Sequence, residues 1–200
     1  MNFRLTYEGP LMGNGSADHK HQIRRVFHKQ LKRLWEIYPP LAEWNRSDIL
    51  QHPALKRRSD VLGDNYTRCG YRFVPIACDP NDPNRPYDPP PIVSLDVLFL
   101  RSGPPGGLLK GADIDNRLKT LFDALRMPAS SQELGKYIAP EDGENPFYVL
   151  MDDDRLVGNV SVATDMLLEP TPGAVPHDKT DARLIVSVSI RSPHGVVPLP

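Results

Sequence analysis

Twenty-two prolines in 200 residues constrain this chain more than any other feature. Proline removes a backbone donor and breaks helices and central strands, so regular elements fit only between proline clusters. Two clusters stand out, at residues 79–91 and 170–176, and both read as loops or extended connections. Between them the periodicities are clear. Residues 3–7 alternate as a short strand that Gly9-Pro10 ends. Residues 18–38 carry Ile23, Phe27, Leu31, Leu34 and Tyr38 at helical spacing, and Pro39-Pro40 stops that helix. Residues 46–64 are less regular. Residues 71–77 and 92–100 read as strands, the second mixing alternation with continuous apolarity as a mostly buried central strand does.

After a turn at residues 102–107, Leu118, Leu121, Phe122 and Leu125 share one face of a second helix over residues 115–127. A polar loop or insertion follows at 128–146, then an apolar lead at 147–151. Residues 156–163 and 183–190 alternate cleanly as strands. The sum predicts one α+β domain over residues 1–200, with a single mixed sheet, two main helices and long proline-rich loops. A hydrophobic content of 40% with 24% charged residues fits a globular protein. No apolar run approaches the roughly 20 residues of a membrane span. The absence of a signal-type apolar region predicts a cytoplasmic location. Cys69 and Cys78 make neither a disulfide framework nor a metal knuckle and read as reduced thiols.

The net charge of −1 hides an asymmetry. Residues 1–72 hold 13 Lys/Arg against 7 Asp/Glu, a balance of +6, and residues 73–200 hold 11 against 18, a balance of −7. On the first long helix, His19, Lys20, His21, Arg24, Arg25, His28, Lys29, Lys32 and Arg33 occur with no acid between Asp18 and Glu36. A solvated helix face explains such a stripe. So does a phosphate-contacting face, favoured by the lack of a neutralising carboxylate. On the second reading, Arg24, Arg25, Lys29, Lys32 and Arg33, the knot Lys56-Arg57-Arg58, and Arg117 are the expected DNA-binding residues.

The chemistry-bearing stretch is Asp113-Ile114-Asp115-Asn116-Arg117-Leu118-Lys119, at the mouth of the second helix. Two carboxylates one residue apart suit a hard cation such as Mg²⁺, which takes oxygen ligands. Lys119, one turn on, is placed to offset phosphate charge. Helix capping by Asp113 or Asp115, or an ordinary Asp115–Lys119 surface pair, accounts for the same residues. Asp123 reads as structural. Further on, Asp152-Asp153-Asp154 sits between apolar segments, and adjacent carboxylates are unfavourable unless solvent or a cation relieves them. As a plain turn the triplet is unremarkable; joined to the upstream pair it completes a nuclease-type metal site.

In this order and spacing, Asp113-x-Asp115-Asn116, Lys119, Asp123-Ala124-Leu125 and Asp152-Asp153 before Leu156-Val157, the chain resembles the RusA family of Holliday junction resolvases. The resemblance covers residues 93–162 best. It implies a homodimeric endonuclease, dependent on Mg²⁺ with Mn²⁺ as a substitute, that resolves four-way DNA junctions by paired nicks. Asp113, Asp115 and Asp153 match the family's metal-binding catalytic aspartates and Lys119 its essential lysine. Asn116 and Asp152 match flanking positions, with Asp152 a further metal ligand and Asp154 an alternative to Asp153. Residues 128–146 depart from the family as an insertion. The competing expectations are a branched-DNA-binding protein that does not cut, and a phage-encoded interaction protein with a vestigial acidic site.

Overall fold

The computed structural model describes residues 1–46, 57–78, 90–102, 113–175 and 178–191. The proline-rich segment 79–89 and the turn from residue 103 lie outside the described residues, as does Lys56. In chain order the elements are β1 (Asn2–Pro10), α1 (Ala17–Ile37), α2 (Pro39–Arg46), α3 (Arg58–Asn65), β2 (Thr67–Arg68), β3 (Tyr71–Ala77), β4 (Ile92–Arg101), α4 (Asp113–Leu125), β5 (Phe147–Met151), β6 (Val157–Met166) and β7 (Asp181–Arg191). Short 3-10 turns cover Ser131–Leu134 and Asp154–Leu156.

The fold is mixed α+β, but the expected single sheet is two. One has the order β1-β7-β4-β6, antiparallel except for the parallel pair β4–β6. The other has the order β2-β3-β5, with β3 and β5 parallel in the register Phe73↔Phe147, Val74↔Tyr148 and Pro75↔Val149. Hydrophobic period marks a strand without naming its partner, which is why the separation was not visible in the sequence. The expected two main helices are joined by α2 and α3, each of eight residues. Pro39 does stop α1, and it opens α2, where a first-turn proline sacrifices no hydrogen bond.

Helix α1 starts at Ser16, whose side chain accepts from the His19 N–H at 3.2 Å. Its stripe Ile23, Phe27, Leu31 and Trp35 packs into a core shared with Leu5, Val74, Ile76, Leu95, Val97, Leu150 and Val186, drawn from both sheets. The β3–β5 pair is buried on both faces. Its second face, Tyr71, Phe73, Phe147 and Val149, is closed by Met127 and by Leu134 of the insertion. Tyr71 Oη donates to the carbonyls of Tyr137 (3.2 Å) and Ala139 (2.8 Å). The insertion is therefore the lid of a second core. Among the described residues no helix is long and apolar enough to cross a membrane.

Phe147 is fully buried at the centre of this second core. Phe147→Ala is expected to cost about 3–5 kcal/mol, as large-to-small changes of buried aromatics do. Denaturant unfolding monitored by circular dichroism checks this; a loss under about 1 kcal/mol would mean that the insertion does not seal the β3–β5 face.

Candidate metal centre and basic face

The two acid sets occupy defined ends of regular structure. Asp113 opens α4, and Asp115 follows in its first turn, where negative charge complements the helix dipole. Capping of α4 by Asp115 is thereby removed, because Asp115 lies inside the helix. Asp115 and Lys119 are both exposed. The start of α4 is fixed beside the end of β4. Asn14 N donates to Asn116 O (3.4 Å), Arg117 Nη2 to Lys179 O (3.0 Å), and the Arg117 guanidinium lies 5.9 Å from the Phe99 ring centroid.

The triplet lies at the carboxyl end of the parallel β3–β5 pair. Asp152 N extends the ladder to Ala77 O at 3.1 Å. Asp153 caps the following 3-10 turn, its Oδ1 accepting from Arg155 N at 3.0 Å. Asp154 stands 4.0 Å from Arg126 Nε. Arg126 is the residue sequence reasoning missed. It also pairs with Asp123 at 3.1 Å and with Glu133 at 3.0 Å, so it gathers the end of α4, the insertion and the acidic turn. Its position three residues after Asp123 was the available signal. Asp123, held by Lys20 at 2.8 Å as well, is structural as expected, and its carboxyl stays below the usual range through these cations despite burial.

Arg126 also bridges to Met151, so the triplet adjoins the carboxyl end of α4, while Asp113 and Asp115 occupy the amino end. A 13-residue helix spans about 20 Å. A second ruler agrees: the triplet leads into Val157, which pairs with Val93 at the start of β4, whereas Arg117 packs on Phe99 near its end. A single chain therefore holds Asp115 and Asp153 apart. Among the described side chains no three His, Cys, Asp or Glu gather to hold a metal ion; the side chains of Asp113 and Arg58 lie outside that set.

The basic face differs from expectation in a specific way. Arg24 belongs to the core, 1% exposed, with its guanidinium donating to Asp123 O (2.6 Å) and Arg126 O (3.1 Å). Burial lowers its pKa to about 10, which leaves it charged at neutral pH. Arg117 is buried too. Neither is available to phosphate. Arg25 pairs with Glu141 and Glu144, and Lys32 Nζ donates to Gly143 O at 3.1 Å. The carboxylates absent from the helix are thus supplied by the insertion. Lys29, Arg33 and Arg57 remain exposed, Arg33 in a pair with Glu36 at 2.9 Å.

The three histidines of α1 are interior groups. His28 stacks on Phe147 with centroids 4.3 Å apart, its Nδ1 accepting from Tyr148 N at 2.8 Å. His21 lies among Tyr71, Tyr137 and Phe147 and accepts from Arg24. Desolvation, reinforced for His21 by neighbouring Arg24 and Arg25, pulls the pKa values down to about 4 for His28 and about 3 for His21. No family model, curated protein or solved structure matches the chain.

These shifts set a sign. Both histidines stay neutral when folded but protonate in the unfolded chain below about 6.5. Their contribution is complete above that value and lost as pH falls through about 4 and about 3. The urea midpoint is expected to fall steeply from pH 6.5 to pH 4, and less steeply in His28→Gln. A variant with the wild-type slope would show that His28 does not carry the effect.

Proposed function

We propose that this chain is a metal-dependent endonuclease acting on branched DNA, of the RusA resolvase kind, working as a homodimer. The observation that carries the reading is the ordered acid pattern, with Asp113, Asp115 and Lys119 on the opening turns of α4 and Asp152-Asp153 closing β5, each at an element end. Because those ends stand about 20 Å apart along α4, the reading requires that a second copy complete each site. Carboxylates of this kind fit a hard divalent cation, and Asp113, Asp115, Asp152 and Asp153 would hold Mg²⁺ or Mn²⁺. When bound, the ion supplies Lewis-acid stabilisation of phosphodiester hydrolysis.

The chain's own residues do the rest. Lys119, exposed one turn from Asp115, offsets negative charge on the scissile phosphate. Lys29, Arg33 and Arg57 engage the flanking backbone, which fixes position without reading sequence. Branch selectivity comes from the two-fold arrangement matched to two equivalent strands.

A synthetic four-way junction incubated with Mg²⁺ is expected to be nicked in paired strands. Asp115→Asn, Asp153→Asn and Lys119→Ala should each slow cleavage by roughly a hundredfold or more. Cleavage at the wild-type rate by either Asp variant would remove the assignment. A second reading is favoured by the separation of the acids and by the capping role of Asp153: a protein that binds branched DNA without cutting. Tight junction binding with no nicks in either metal would select it. On both readings, each of Lys29→Ala and Arg33→Ala should reduce the slope of log affinity against log salt by about 0.9. Unchanged slopes in a filter-binding titration would place the DNA elsewhere.

A further inference from the structure

Arg101, the last residue of β4, is a half-buried cation with nothing to hold. Its Nε is closed off from solvent and has no hydrogen-bond partner. The Nε atoms of Arg72 and Arg183 are shielded likewise, yet they lie 2.9 Å and 2.8 Å from the carboxylates of Asp64 and Glu8. Among the described residues the Arg101 side chain makes neither a hydrogen bond nor an ion pair. Shielded polar groups in a folded chain normally find a partner, so a donor left without one calls for a function.

Strand alternation places this guanidinium. Val93, Leu95, Val97 and Phe99 are the buried residues of β4 and share a core with Leu121 and Leu125 of α4, so Arg101 falls on the α4 side. The Arg117 guanidinium lies 5.9 Å from the Phe99 ring centroid. Two residues onward along β4 is about 6.6 Å, and four residues back along α4 is about 6 Å. The two elements run in opposite directions, because the carboxyl end of α4 adjoins the turn leading into Val157, the partner of Val93. The step from Phe99 to Arg101 therefore matches the step from Arg117 to Asp113, and Arg101 stands beside the first turn of α4. A shared anchor agrees. Ser102 Oγ donates to Asp178 O at 2.5 Å, and Arg117 Nη2 donates to the neighbouring Lys179 O at 3.0 Å.

We propose that Arg101 contacts the substrate, its guanidinium binding the scissile phosphate at the opening turn of α4. This deepens the nuclease reading and rests on it. Neither Asp115 nor Asp178, the described acids at this end of α4, pairs with Arg101, so the fork stays open for an incoming anion. A planar guanidinium takes two phosphate oxygens at once, which an ammonium does not. Arg101 thus fixes the orientation of the phosphate, while Lys119 on the exposed side of α4 offsets its charge.

The full-length chain and a synthetic four-way junction carry the test. In single-turnover cleavage with Mg²⁺ and saturating protein, Arg101→Ala is expected to be slower by roughly a hundredfold, as when one donor to a reacting group is lost. Arg101→Lys keeps the charge but not the fork, and should recover only part of that loss. Without divalent metal, the slope of log junction affinity against log salt should fall by about 0.9 in Arg101→Ala and hold in Arg101→Lys. A scissile-phosphate contact must move both readouts in Arg101→Ala, so a change in one alone overturns the proposal. Wild-type behaviour in both overturns it too. So does a rate that returns to wild type when Mg²⁺ alone is varied, which would assign Arg101 to the metal-binding acids. If Arg101→Ala misfolds by circular dichroism, Arg101→Lys decides alone: slower cleavage at an unchanged slope is expected, and the wild-type rate overturns. In all these cases the wild-type chain still cuts and the nuclease reading stands. A wild-type chain that leaves the junction whole removes that reading and the role of Arg101 with it.

Discussion

The position of everything around the acidic turn depends on one buried cation. Arg24 leaves α1 inside the core and donates to the carbonyls of Asp123 and Arg126, at the carboxyl end of α4. The last carbonyls of a helix have no intrahelical partner, and a cation there satisfies both the hydrogen bonds and the dipole. A charge so buried persists only with such partners. Arg24 therefore does not merely tolerate the interior; it locks the orientation of α4 against α1. Arg126, immediately beyond, then ties the same helix end to Glu133 and Asp154. Two guanidiniums in sequence transmit the placement of α1 through α4 to the turn that follows β5.

The insertion acts on the same ground. It covers the second face of β3–β5 with Leu134, holds Tyr71 through its carbonyls, and brings Glu141 and Glu144 to Arg25. Its cover forces His21 and His28 to remain neutral, because stacking against Phe147 and Tyr137 leaves no water to solvate a charge. A surface loop by composition is, by packing, part of the core. The exposed cationic surface of α1 shrinks accordingly to Lys29, Arg33 and the partly covered Lys32.

Element positions were legible because periodicity records burial directly. The bounds expected for α1, β3, β4, β6 and β7 fall within a few residues of those observed, whereas residues 147–151, read only as an apolar lead, form β5. Partnership was not legible: nothing in residues 71–77 or 147–151 says that they pair with each other and leave β4 to β6 and β7. Nor was the direction of a polar side chain. Arg24 sits in the same basic run as Arg25 and Lys29, yet it alone of the arginines there turns inward, since a helix of 3.6 residues per turn carries it to the Ile23–Phe27 side. The acid pattern was legible as a pattern, and each member falls at an element end. The separation along α4 was hidden, because sequence spacing across an insertion carries no distance.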